Sequence, residues 1–135
     1  MRVLDTNVFS ALMRGDPAPV EHLLRHAPAD VLVPHPVVAE IRYGLSRLPR
    51  SKRREALEQR CDVLCNTLSR TPWTDEVSRH FGLVKAELER KGLRLDDFDI
   101  AIAAHALAID AVLVTRNARH LGRVAGLSLE DWTTA

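Results

Sequence analysis

The chain has 135 residues, of which 46% are hydrophobic and 27% are charged, and its formal net charge is +1. This length and composition exclude a disordered chain and favour one globular domain over residues 1–135. The balanced charge excludes a global attraction to nucleic acid or to acidic membranes, so any binding field has to be local.

Hydrophobic periodicity predicts the secondary structure. Short apolar runs indicate buried strands, and apolar residues at helical spacing indicate helices. In chain order the predicted elements are a strand at 3–4, helices at 8–15 and 20–26, a strand at 31–33, helices at 36–45, 51–68, 75–91 and 99–108, and strands at 112–114 and 127–129. This alternation predicts an α/β fold, a three-layer sandwich with a short, mainly parallel sheet flanked by helices.

Two features bear on compartment and redox chemistry. Asp5 interrupts the first apolar stretch before a signal peptide develops, and no apolar run approaches the roughly 18 residues of a membrane helix. We therefore expect a cytoplasmic protein without a membrane partner. Cys61 and Cys65 lie one helical turn apart, which favours two small core residues over a disulfide or a zinc site.

Polar side chains gather where the predicted strands end. Asp5 follows the first strand, Asn117 follows the strand at 112–114, and Asp99 lies in the first turn of the helix before that strand. Glu40 lies beside the apolar stripe of the helix after the second strand, an unusual place for a carboxylate. Ligands of open parallel sheets bind beyond the carboxyl ends of the strands. Carboxylates that converge in one pocket repel one another unless a divalent cation neutralises them, and their hard oxygen atoms suit Mg²⁺ or Mn²⁺.

Each of these acidic residues also has a structural interpretation. Asp5 is equally suited to capping the first helix, and acidic residues such as Asp96 and Asp97 are favoured at a helix N-terminus. For Asp96 and Asp97 the capping interpretation is preferred. Asp99 differs because the helix that follows it, residues 100–104, is entirely apolar and is therefore expected to be buried.

A basic segment lies between residues 42 and 60. It carries seven basic residues against Glu55 and Glu58, and the basic residues are Arg42, Arg47, Arg50, Lys52, Arg53, Arg54 and Arg60. Such a segment beside an acidic metal pocket suits phosphodiester chemistry, in which cationic side chains hold the nucleic acid backbone. The competing interpretation is a solvated helix face. His105, in the alanine-rich helix, is expected to be a packing residue.

Four segments resemble the motifs of PIN-domain ribonucleases, in particular the VapC-type toxins of toxin–antitoxin pairs and their FitB-like relatives. The segments are VLDTNV at 3–8, VAEIRYGL at 38–45, DIAIAAHA at 99–106 and LVTRN at 113–117. They occur in the order of the family, and the resemblance extends from residue 1 through Trp132. The chain is thus identified as a single PIN-like nuclease domain.

The resemblance implies a Mg²⁺- or Mn²⁺-dependent endoribonuclease that cleaves transfer or ribosomal RNA with metal-activated water. Asp5, Glu40 and Asp99 match the acidic residues that hold the metal, and Asn117 completes the catalytic set. Thr6 and Thr115 match hydroxyl residues that support the site. Residues expected to contact RNA are Arg42, Lys52, Arg53, Arg54 and Arg116.

The same resemblance implies two protein partners, a second copy of the chain in a homodimer and an antitoxin that covers the active site. An arginine of the antitoxin is expected to pair with the acidic pocket and displace the metal. The chain departs from the family at His120, where relatives often carry Asp or Glu. This departure leaves open whether one or two metal ions act.

Three alternatives remain at the level of sequence. One is a catalytically inactive PIN-like interaction module, which His120 alone favours. Another is a haloacid-dehalogenase-type phosphatase, whose nucleophile loop faintly resembles residues 5–8 but requires Asp in place of Asn7. A receiver-type signalling domain has the right length, but it lacks an Asp after the middle strand, where Pro34 stands.

Overall fold

The computed structural model describes residues 1–134 and contains one five-stranded sheet. All four strand pairings are parallel, and the strand order is β3-β2-β1-β4-β5. The strands are β1 (Arg2–Leu4), β2 (Val31–Pro34), β3 (Ser69–Thr71), β4 (Val112–Val114) and β5 (Leu129–Glu130). β1 lies at the centre of the sheet, so residues that follow it are surrounded by the ends of its neighbours β2 and β4.

Helices flank the sheet and complete the predicted three-layer α/β sandwich. They are α1 (Thr6–Arg14), α2 (Pro17–Leu24), α3 (His35–Ser46), α4 (Lys52–Thr67), α5 (Asp75–Arg90), α6 (Asp97–Ala108) and α7 (Ala118–Leu121). A single 3₁₀ turn, Pro28–Asp30, precedes β2. α1 contacts α2, α3 and α4, whereas α5 packs on α6, which lies against β1 and β4.

The predicted elements are confirmed except at some boundaries and in two short segments. β3 was not predicted because its sequence, Ser-Arg-Thr, has no apolar run; it pairs with β2 alone, at the edge of the sheet. α7 has only four residues, too few to show a period. The predicted strand 127–129 begins at Leu129 instead, and α2 begins at Pro17 rather than at residue 20.

Side chains of the expected types cap several helices. Ser51 and Thr74 accept hydrogen bonds from backbone N–H groups in the first turns of α4 and α5. Gly15 follows α1 with φ of 75°, a left-handed conformation that glycine adopts without steric cost. Pro36 is the second residue of α3 rather than its first, because His35 already has helical geometry.

The hydrophobic core is built from the strands and the inward faces of α1, α3 and α6. Cys61 is fully buried in the core and Cys65 is half-buried against it, as predicted for two small core residues, and both are free thiols. His105 is also fully buried, with Nδ1 bonded to the Ala101 carbonyl at 2.8 Å. Burial lowers the pKa of His105, so the ring is a neutral packing residue, as predicted.

The C-terminal segment is anchored by Trp132, which is fully buried. Its indole stacks with the rings of His22 and His26, with centroid distances of 5.7 and 5.4 Å and nearly parallel planes. The indole N–H donates to Glu130 at 2.6 Å, and Glu130 in turn accepts from the Arg2 guanidinium at 3.2 Å. These contacts tie the end of the chain to α2 and to β1.

No helix within residues 1–134 combines the length and the apolar character needed to cross a bilayer.

Candidate active site

Asp5 is the most buried of the predicted acidic site residues, with 5% of its surface exposed. It directly follows β1, and its backbone N–H donates to the Val114 carbonyl at 3.0 Å. Its Oδ1 accepts a hydrogen bond from the Val8 N–H at 2.9 Å, so Asp5 does cap α1. The capping interpretation does not exclude the site interpretation, because the Val8 N–H engages only one of the two carboxylate oxygens.

Burial raises the pKa of Asp5 above its usual value, although several groups oppose this effect. Hydrogen bonding to the Thr115 hydroxyl and to the Val8 N–H, together with the positive charge of Arg116, favours the ionised form. The net rise indicates that these partners do not fully compensate the buried negative charge. A cation bound at this position would supply the missing compensation.

Asp99 lies in the first turn of α6, and its pKa is raised from 3.8 to about 6. Burial is the largest cause, and the negative charges of Asp96, Glu40 and Asp5 follow. The structure therefore brings Asp5, which follows β1, and Glu40, on α3, within electrostatic reach of Asp99.

Glu40 lies on α3 near the start of α1, where Thr6 holds its carboxylate in place. The Thr6 hydroxyl donates to Glu40 Oε1 at 2.5 Å. The sequence anomaly at Glu40 is thereby explained, since the carboxylate has a polar partner although Ile41 and Val37 beside it are buried.

The neighbouring acidic residues of α6 have structural partners. Asp96 caps the helix by accepting from the Phe98 N–H at 2.7 Å, and Asp97 forms an exposed ion pair with Lys85 at 2.9 Å. The capping interpretation is therefore confirmed for Asp96, whereas Asp97 pairs with a side chain of α5. Asp99 is the residue of this cluster that is partly withdrawn from solvent.

The segment after β4 forms the opposite side of the site. Thr115 is fully buried, and its hydroxyl oxygen accepts from the Asn117 N–H at 2.9 Å. The side-chain oxygen of Asn117 is bonded to His120 Nδ1 at 2.7 Å. The sequence predicted Asn117 as a site residue and gave His120 only as a departure from the family, without a contact to Asn117. Their spacing of three residues, close to one helical turn, was the available signal.

The donor chemistry fits a hard divalent cation, although the side chains do not form a closed cage. Within residues 1–134, no three His, Cys, Asp or Glu side chains lie close enough to surround an ion. Asp5, Glu40 and Asp99 nevertheless offer carboxylate oxygens, the ligands that Mg²⁺ and Mn²⁺ prefer. Burial raises the pKa of both Asp5 and Asp99, and neighbouring negative charges add to the rise at Asp99.

The predicted RNA contacts lie on two surfaces. Arg116 is exposed beside Asp5, whereas the basic segment lies on α3 and α4. Two of its members are engaged in ion pairs, Arg42 with Asp62 at 2.7 Å and Arg54 with Glu58 at 2.6 Å. Lys52 and Arg53 are exposed at the start of α4, so their charges face solvent.

The chain matches a known protein family over most of its length. The family model described as "PIN domain" matches residues 2–127. The ribonuclease VapC2 of Rickettsia felis is 35% identical over 96 residues, which cover 71% of this chain and 69% of that protein. The tRNA(fMet)-specific endonuclease VapC of Shigella flexneri is 30% identical over 97% of each chain.

A solved structure shows the same fold. In the crystal structure of VapBC2 from Rickettsia felis bound to a DNA fragment from the promoter, the matching chain is 29% identical and has a TM-score of 0.87. The match covers 97% of this chain and 98% of that chain.

Proposed function

This chain belongs to the PIN-domain family and is related within it to the VapC ribonucleases, and from this premise we propose that it is the toxin of a toxin–antitoxin pair, an endoribonuclease that requires Mg²⁺ or Mn²⁺. The observation that carries the metal requirement is the grouping of three carboxylates, in which Asp5 and Glu40 lie within electrostatic reach of the partly buried Asp99. The family match favours this function over the phosphatase alternative.

Asp5 and Asp99 are the proposed main ligands of the cation, and Glu40 is the third. A bound divalent cation supplies charge stabilisation for the phosphoryl oxygens and makes a water molecule more acidic. Asp5 is kept in one orientation by the Val8 N–H, and Glu40 is kept in place by Thr6. These contacts limit how far the Asp5 and Glu40 carboxylates have to move before water attacks an RNA phosphodiester in line and hydrolyses it.

We propose transfer RNA as the substrate and the cytoplasm as the compartment. The transfer RNA assignment is supported by the name of the Shigella flexneri relative, a tRNA(fMet)-specific endonuclease.

The similar Rickettsia felis structure is a VapBC complex, which supports an antitoxin as the partner of this chain. An antitoxin arginine that reached Asp5 and Asp99 would neutralise them as a cation does, since a guanidinium matches a carboxylate in geometry. The homodimer is a further part of this proposal.

Asp5→Asn should remove metal-dependent cleavage of RNA while it keeps the cap on α1. The asparagine oxygen still accepts from the Val8 N–H, but the residue no longer carries a charge for a cation. Total cellular RNA is incubated with the partner-free protein in Mg²⁺, Mn²⁺ or EDTA, and the products are separated by electrophoresis. We expect discrete cuts with wild type in either metal and none in EDTA or with Asp5→Asn.

Two outcomes would contradict this proposal. Cuts that persist with Asp5→Asn would indicate a contaminant or another site. If folded wild-type protein makes no cuts in any metal, the chain is the inactive interaction module, and His120→Asp becomes the next variant.

The double variant Lys52→Ala, Arg53→Ala should weaken RNA binding without changing metal binding. Each exposed charge that neutralises one phosphate contributes about 0.7 to the slope of log K against log salt for single strands. We expect the slope to fall by about 0.7 to 1.4, measured by fluorescence anisotropy across a salt series. Arg25→Ala, which removes an exposed charge at the end of α2, is the control. An unchanged slope in the double variant would place the RNA elsewhere.

A further inference from the structure

The hydrogen bond between His120 and Asn117 determines what the Asn117 side chain can present to a ligand. Asn117 Oδ1 lies 2.7 Å from His120 Nδ1. A carboxamide oxygen only accepts hydrogen bonds, so His120 donates from Nδ1. Both the neutral ring protonated at Nδ1 and the imidazolium have this donor. The contact therefore does not depend on the charge of His120.

The planar carboxamide has one oxygen and, on its other side, an NH₂ group with two donors. His120 engages one lone pair of the oxygen, and within residues 1–134 the Nδ2 group has no hydrogen-bond partner and is available to a ligand. Hydrogen-bond donors bind anionic oxygens and do not coordinate cations. The backbone of Asn117 is held by the bond from its N–H to Thr115 Oγ1, and Thr115 also interacts with Asp5. The backbone of Asn117 is thus linked through Thr115 to Asp5.

The charge of the surrounding segment agrees with an anionic ligand. Residues 115–121 contain Arg116, Arg119 and His120 and no acidic residue. Arg116 is close enough for its charge to lower the pKa of Asp5. The site therefore has two sides of opposite charge. One side carries the carboxylates, which follow β1 or lie on α3 and α6, and the other carries hydrogen-bond donors on the segment between β4 and α7.

We propose that Asn117 binds a non-bridging phosphate oxygen of the RNA through Nδ2, and that His120 is the residue that positions it. This role deepens the proposed ribonuclease function and rests on it. Asn117 is then a substrate-binding residue and not a ligand of the cation. His120 thereby supports phosphate binding and not metal binding.

The test measures RNA binding in EDTA, where neither cleavage nor a metal ligand contributes. A fluorescent RNA oligonucleotide is titrated with each variant. We expect Asn117→Ala to weaken binding about 5- to 20-fold, because a hydrogen bond to a charged oxygen is lost. Asn117→Asp should weaken it at least as much, since it replaces a donor by a negative charge. His120→Ala should weaken it about 3- to 10-fold by releasing the carboxamide.

His120→Gln is the conservative variant and should restore most of the affinity, because its amide N–H can still donate to Asn117. His80→Ala, on α5 and away from the site, should bind like wild type. Mn²⁺ affinity, measured by electron paramagnetic resonance without RNA, should be unchanged in Asn117→Ala and His120→Ala. A purely structural role for His120 would be shown by equal losses in the alanine and glutamine variants, and it would overturn the proposal.

Two further results would also overturn it. One is weaker Mn²⁺ binding by Asn117→Ala with unchanged RNA binding, which would make Asn117 a cation ligand. The other is a failure of wild-type protein to bind RNA in EDTA, since the donors act without metal. A wild-type protein that binds RNA through Asn117 but does not cleave it in Mg²⁺ or Mn²⁺ would contradict the proposed ribonuclease function alone.

Discussion

Asp99→Asn is expected to abolish RNA cleavage and at the same time to make the metal-free protein more stable at neutral pH. The loss of activity should be at least about 100-fold, because replacing even an outer partner of a metal ligand costs about 10- to 100-fold. Activity is measured as the initial rate of RNA cleavage at saturating Mg²⁺. The gain in stability arises because asparagine removes a negative charge that is partly buried near Asp5 and Glu40.

The pH dependence follows from the direction of the Asp99 shift. The pKa of this carboxyl rises from its ordinary value of 3.8 to about 6 in the folded chain, so folding favours the protonated form. This contribution to stability is fully present below pH 3.8 and is lost as the pH rises through 6. At neutral pH the ionised carboxylate therefore destabilises the fold. We expect Asp99→Asn to raise the free energy of unfolding by about 1 to 2 kcal/mol, after allowance for solvent screening.

Urea unfolding at about pH 7.5 and about pH 4, in EDTA, measures this effect, and the advantage of Asp99→Asn should largely disappear at the lower pH. Mg²⁺ should stabilise wild type and not the variant, since a ligand stabilises the state that binds it. Asp97→Asn is the matched control, because Asp97 belongs to the same helical turn but is exposed and paired with Lys85. A stability gain shared by both variants, or cleavage retained by Asp99→Asn, would contradict the site.

Trp132→Ala is expected to cause the largest loss of stability outside the site. The indole is fully buried, stacks with His22 and His26, and donates to Glu130. Replacing a buried tryptophan by alanine costs about 3 to 5 kcal/mol, because apolar contact is lost and a cavity remains. The free energy of unfolding, from urea titration monitored by circular dichroism, measures this loss.

Trp132→Phe separates packing from hydrogen bonding. An aromatic ring is retained and the bond from the indole N–H to Glu130 is removed, so we expect a smaller loss of about 1 to 2 kcal/mol. Cleavage per folded molecule should be unchanged in Trp132→Phe, since the residue does not contact the acidic pocket. A loss below about 1 kcal/mol in Trp132→Ala would show that the C-terminal segment contributes little to the fold.

Periodicity predicted the elements that are long or strongly apolar. The strands at Val3, Leu32 and Leu113 were predicted because both faces of a central parallel strand are buried, which requires consecutive apolar residues. The edge strand β3 was missed because it pairs on one side only and tolerates Ser69 and Arg70. Such a strand gives no signal in the sequence, because its pairing depends on the neighbour that the fold brings beside it.

Sequence spacing predicted the candidate site residues and placed them after β1, before β4 and after β4. Each residue stands at a fixed distance from an apolar run, and the parallel order of a sheet places the carboxyl ends of its strands at one edge. The partners of the site residues, in contrast, depend on the folded chain. The hydrogen bond from Thr6 to Glu40 and the repulsion between Glu40 and Asp99 act between residues that are far apart in sequence. Burial in the folded chain is the main cause of the raised pKa values of Asp5 and Asp99. Contacts and desolvation of this kind depend on distances in space, which sequence spacing does not contain.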